Sequence, residues 1–203
     1  MGHFVYKFPS GKDIYLTFDD GPDGKYTSDV LDILHQFSVK STFFLVGKNV
    51  ELYPNIVSEI KARGHSVGLH TYSHKRIDTM SKTDYRREIT QNQDAIKQVI
   101  GEKPLMIRPP QGKVRLTNLM WAIRDRLRIV HFTISSNDWK ADSAYDVIKA
   151  IRIDQMCGGE IISLHDNKLT TVEALPVLLE RFSEAGYCCA PILFDGDVSS
   201  PVL

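Results

Sequence analysis

Short apolar runs and longer amphipathic stripes alternate along this chain. Ile14–Phe18, Ser41–Val46, Ser66–Leu69, Leu105–Ile107, Arg128–Ile134, Glu160–Leu164 and Tyr187–Ile192 read as strands of a buried sheet. Helical stripes lie between most of them. Val30, Leu31, Ile33, Leu34 and Phe37 recur at helical spacing and predict a helix over Ser28–Phe37. A second covers Pro54–Arg63, with proline in its first turn and Gly64 at its end. Ser81 and Asp84 form a weak capping box, after which a long helix runs to Ile100 and stops at Gly101. Thr117–Leu127, Ala144–Ile153 and Thr171–Ala185 complete the helices. Regular alternation of strand and helix predicts an α/β fold with a parallel sheet under helices. Whether the sheet is open and doubly wound or closed into a barrel stays undecided by the pattern.

Size and charge narrow the function. The 203 residues suit one domain spanning 1–203, and 42% of them are apolar, enough for a large core. Lys+Arg and Asp+Glu both number 25, so the formal net charge is zero. Nucleic acid is therefore not an expected partner, and a neutral substrate is. No apolar run approaches the roughly 18 residues of a membrane span. No basic-then-apolar leader is visible at the N-terminus, and export is not decided by this stretch. Three cysteines, Cys157, Cys188 and Cys189, are too few and too odd in number for a complete disulfide framework. They are expected as free, packed thiols, with Cys188 and Cys189 in a late buried strand.

Chemistry collects just after the strands. Asp19 and Asp20 follow the first, and His70 and His74 the third. Arg108 and the Pro-Pro-Gln-Gly run follow the fourth, Asp138 and Trp139 the fifth, His165 and Asp166 the sixth. Parallel strands point the same way, so these groups gather on the carboxyl face where α/β proteins build their sites. Histidines four residues apart can grip one ion. Two imidazoles and one carboxylate form the donor set of a catalytic metal site with a coordination position left for water. Zinc, Fe(II) and Co(II) all suit it. One aspartate of the adjacent pair can coordinate the cation while the other remains a base, and the cation offsets their mutual repulsion.

The motifs TFDDGP, HTYSH, RPPQG, NDW and SLHD, in this order and spacing, resemble those of the carbohydrate esterase family 4 polysaccharide deacetylases, which share the NodB homology domain. The resemblance covers about residues 13–192. It implies a distorted (β/α) barrel of about seven parallel strands, and removal of N-acetyl groups from an amino-sugar glycan such as chitooligosaccharide or peptidoglycan. O-acetyl hydrolysis on xylan and a binding protein that has lost turnover are the alternatives. It also implies a divalent metal, zinc first, with cobalt or another ion able to serve. Asp20, His70 and His74 would hold the metal. Asp19 would be the base, paired with Arg108, and His165 the acid, supported by Asp138. Trp139 and Leu164 would form the acetyl slot, and the backbone N–H of Gln111 would meet the oxyanion. A monomer is expected, and secretion or the cell envelope is usual for such proteins. Two departures stand out: Gln111 replaces a usual aromatic, and Ser135 a frequent aspartate. Neither removes a ligand, base or acid. Asp166 is expected to be structural, His35 and His131 to pack or face solvent, Asn137 to cap a turn, and Phe43, Phe44 and Trp121 to fill the core.

Overall fold

A computed structural model describes residues 2–194. Its strands are β1 (Phe4–Val5), β2 (Asp13–Asp19), β3 (Thr42–Leu45), β4 (Ser66–Leu69), β5 (Met106–Ile107), β6 (Arg128–Val130), β7 (Ile134–Ser135), β8 (Ile161–His165) and β9 (Cys188–Cys189). The helices are α1 (Thr27–Gln36), α2 (Gly47–Leu52), α3 (Pro54–Ala62), α4 (Lys82–Ile100), α5 (Leu116–Arg124), α6 (Ala144–Ala150) and α7 (Leu169–Glu184). Every described strand pair is parallel, in the order β1-β6-β5-β4-β3-β2-β8-β7, with β9 paired to the start of β2.

The sheet curls into an incomplete barrel. Neighbouring strands lie about 4.8 Å apart, so a flat sheet would hold β5 about 14 Å from β2. Yet Arg108, next after β5, bonds Asp19 at the end of β2 at 2.9 Å. Side-chain parity separates two cores. Ile14, Leu16, Phe18, Phe43, Leu45, Ile107, Ile129, Ile162 and Leu164 face outward against the helices. Phe8, Phe44, Met106, Val130 and Ile161 fill the inside at its lower end. Above them the interior turns polar with Thr17, Asp19, Arg108, Ser163 and His165, and that change creates the site.

Four expectations need correction. The run Arg128–Ile134 is two strands at opposite ends of the sheet: β6 pairs with β5 and β1, and β7 with β8. The residues between them cross the gap in the barrel. The carbonyls of Val130 and His131 accept from the Arg108 guanidinium, at 3.3 and 3.1 Å. Thr133 instead exchanges bonds with Ile161. The strand β1 and the helix α2 were unforeseen, being two and six residues long. The last strand shrinks to Cys188–Cys189. All three cysteines are free, but Cys157 and Cys188 are exposed and only Cys189 is partly packed, its thiol pushed up to about 12 by burial.

Local chemistry sets the helices as their sequence implies. Ser81 Oγ accepts from Asp84 N–H at 3.1 Å to start α4, and Gly101 ends it at φ +81. Phe43 and Phe44 are buried, Trp121 packs partly buried on Tyr85, and His35 is exposed. No described helix is long and apolar enough to cross a membrane.

Candidate active site

The carboxyl ends of the strands surround a cleft of about 530 Å³. Asp19, Asp20, His70, His74, Gln111, Gly112, Phe132, Ser135, Trp139, Ser163 and His165 line it. Its base is a buried ion pair. Arg108 is 1% exposed, stacks on Phe44 with 4.3 Å to the ring centroid, and donates to Asp19 Oδ1 at 2.9 Å and Thr17 Oγ1 at 2.5 Å. Ser163 Oγ donates to Asp19 Oδ2 at 3.2 Å. The second aspartate turns away, because Asp20 takes φ +74. Gly21 follows because a Cβ there would meet Asp166 Oδ2 at 2.0 Å. Asp166 is structural, as expected: Thr27 Oγ1 donates to it at 2.8 Å, and full burial raises its carboxyl to about 7.

Asp20, His70 and His74 each bring one donor atom to within 4.8 Å of the others. His70 Nδ1 donates to the Arg108 carbonyl at 2.8 Å, which leaves Nε2 as the lone-pair nitrogen, 3.4 Å from Asp20 Oδ1. His74 Nε2 lies 3.0 Å from the same oxygen. Burial pushes the Asp20 carboxyl up, but contacts from His70 and His74 outweigh it and hold the group far below the ordinary carboxylate range. Asp20 Oδ1 is buried with no conventional hydrogen-bond partner. A buried anionic oxygen facing two imidazole nitrogens fits a divalent cation, as does the two-histidine, one-carboxylate donor set.

His165 stands across the cleft. Its Nδ1 donates to Asp138 Oδ1 at 2.6 Å, and its backbone N–H donates to Oδ2 at 2.6 Å. Thr171 Oγ1 adds a bond to Oδ2, also at 2.6 Å. Burial opposes the charged imidazole, but Asp138, with Asp19 and Asp20 behind it, raises its pKa to about 9. Burial likewise pushes Asp138 up, and His165 and Thr171 hold it below its usual value. Nε2 is the free nitrogen and faces the cleft, 3.9 Å from Asp20 Oδ2.

The structure brings nine of the ten expected site residues to this region and one elsewhere. Leu164 is fully buried under the helices and does not line the cleft. Parity on β8 turns Ser163 and His165 inward and Leu164 outward. Trp139 is on the wall, 60% exposed, with Lys140 Nζ 5.3 Å above its ring. Gln111 sits on the rim at φ +59. Phe132, Ser163 and Gly112 are lining residues the sequence reading missed. For Ser163 the signal was present, since it shares parity with His165. His131 is a packing residue: its Nε2 lies 3.2 Å from the Gly112 carbonyl.

Residues 7–129 match the polysaccharide deacetylase family model. The chain belongs to the polysaccharide deacetylase family, a family of hydrolases with at least one pseudoenzyme among its members. Over 188 residues it is 38% identical to a peptidoglycan-N-acetylglucosamine deacetylase of Bacillus cereus, covering 90% of this chain and 68% of that protein. It spans 38% of the length of longer relatives. Among solved structures it resembles the Bc1960 peptidoglycan N-acetylglucosamine deacetylase, with TM-score 0.89 and 33% identity, covering 94% of this chain and 91% of that one. It also resembles BA3943 of Bacillus anthracis, a pseudoenzyme of carbohydrate esterase family 4, with TM-score 0.87 and 25% identity over 93% of this chain and 67% of that one. The fold therefore does not decide turnover, and the side chains must.

Proposed function

We propose that this protein hydrolyses the N-acetyl group of N-acetylglucosamine units in peptidoglycan or a chemically similar glycan, with a divalent metal, zinc first. The observation that carries this reading is the convergence of two hydrogen-bonded charge pairs on one donor set. Arg108–Asp19 lies beneath the Asp20–His70–His74 group, and Asp138–His165 lies beside it. Asp20, His70 and His74 would hold the cation, and the chemistry it would supply there is polarisation of the amide carbonyl and acidification of water. Asp19, fixed by Arg108 and Ser163, accepts the proton of the attacking water. As the water oxygen bonds to the acetyl carbon and the C–N bond breaks, His165 Nε2 gives its proton to the departing amine. The products are acetate and the free amino sugar. Proton transfers by a positioned base and acid each contribute on the order of 10²–10⁴ in rate. A histidine near pKa 9 keeps its proton at neutral pH, as an acid for a poor leaving group must. Trp139 and Phe132 offer apolar surface to the acetyl group and sugar.

Acetate release from peptidoglycan, chitooligosaccharide and acetylxylan, with zinc content verified, tests the reading. Release from the first two is expected. Release from acetylxylan alone would replace it with O-acetyl hydrolysis. No release from any of the three by zinc-loaded protein would make the chain a binding protein.

A further inference from the structure

The two histidines are held in different ways. The His70 ring is anchored by the Arg108 carbonyl and is buried. The His74 ring is more open, and its one polar contact among the described residues is Asp20 itself. Ligating imidazoles ordinarily have their second nitrogen anchored, which fixes the ring. For His74 the backbone must do that work. This backbone is unusual: Thr71 and His74 take φ +61 and +58, a region non-glycine residues occupy only when the surroundings enforce it.

Three groups enforce it. Gly47 N–H donates to the Thr71 carbonyl at 3.1 Å and Lys48 N–H to the Tyr72 carbonyl at 2.9 Å, both from the start of α2. The third is the Glu88 carboxylate on α4. Its Oε2 accepts from Ser73 N–H at 2.8 Å, and its Oε1 accepts from Ser73 Oγ at 2.7 Å. Glu88 is 6% exposed and sits on the inward stripe with Tyr85, Ile89, Asn92 and Ile96. No cation lies within ion-pair distance of it among the described residues, and both its polar partners belong to Ser73. A carboxylate at a core-facing helix position is a poor choice for packing alone. It is a good choice for gripping the residue immediately before a ligand.

We infer that Glu88 is a positioning residue for the metal: it locks the turn at Ser73 and so aims His74. This rests on the reading that Asp20, His70 and His74 bind a cation. The test measures zinc affinity of the purified chain by competition with a chromophoric chelator, and the visible spectrum of the cobalt-substituted protein, for wild type, Glu88→Ala, Glu88→Asp and Glu88→Gln. Loss of an outer-shell partner costs about 10–100-fold in metal affinity, and Glu88→Ala should fall in that range with an altered cobalt spectrum. Glu88→Gln keeps an acceptor for Ser73 N–H and a donor for Ser73 Oγ, so it should recover most of the affinity. Glu88→Asp keeps the charge but shortens the reach and should bind more weakly than Glu88→Gln. That ordering carries the test even if Glu88→Ala does not fold. Unchanged affinity in Glu88→Ala and Glu88→Asp overturns the inference while leaving the metal reading intact. Equal losses in all three variants, or lowered thermal stability at unchanged affinity and spectrum, overturn it too. Wild-type protein that binds no zinc removes the metal reading along with it.

Discussion

Arg108→Met should strongly destabilise the protein. The side chain is buried and makes four hydrogen bonds, to Asp19, Thr17 and the carbonyls of Val130 and His131. Methionine fills similar apolar space but leaves Asp19 as a buried charge without its partner. Removing one member of a buried ion pair costs about 3–5 kcal/mol. The two carbonyls lie where the chain crosses the gap in the barrel, and they lose their donor as well. For a domain of this size, about 4 kcal/mol corresponds to a melting point about 8–16 °C lower. Urea denaturation, which adds no ionic screening, measures the difference directly. Asp19→Asn should be milder, since the amide can still accept from Arg108. The double variant should be more stable than the sum of the single losses implies, because it leaves no unpaired carboxylate. An Arg108→Met protein within about 1 kcal/mol of wild type would refute the account of Arg108 as the charge partner that makes burial of Asp19 tolerable.

Asp19→Asn should lower deacetylation by about 10²-fold or more with zinc still bound, read as acetate release and elemental analysis. His74→Ala should weaken zinc binding by more than about 100-fold if it is one of the three proposed ligands, and chelator competition will show it. Activity requiring protonated His165 should decline as pH rises, with its limb at or below about 9. Asp138→Asn should move that limb downward toward the ordinary imidazole value, read from kcat/KM against pH. The sign for stability agrees: a raised histidine pKa stabilises fully below pH 6.5, and that contribution is lost as pH climbs through about 9.

The longer elements were legible because four or more residues of consistent pattern identify them. β2, β3, β4 and β8, and the helices α1, α3, α4 and α7, lie where periodicity put them. The crossing at 131–133 was not legible. Val130, Phe132 and Ile134 alternate as a strand would, and nothing in that spacing tells a ladder from a chain whose carbonyls serve an arginine. The clustering of the candidate site residues was legible because their side chains follow parallel strands and so gather at one end of the sheet. Leu164 was misplaced by adjacency to His165, where alternation along β8 favours Ser163. Glu88 was hidden because a helical glutamate reads as solvent-facing. Only its place on the stripe with Tyr85, Ile89 and Asn92 betrays it.

An unclosed barrel has two margins, and among the described residues β1 and β7 form them without a further strand partner. Each is two residues long. A foreign strand docking on either would find one or two backbone partners before the margin ended, too few to template growth. Among the described residues the ring therefore stays open without offering the sticky rim that makes longer exposed strands prone to aggregation.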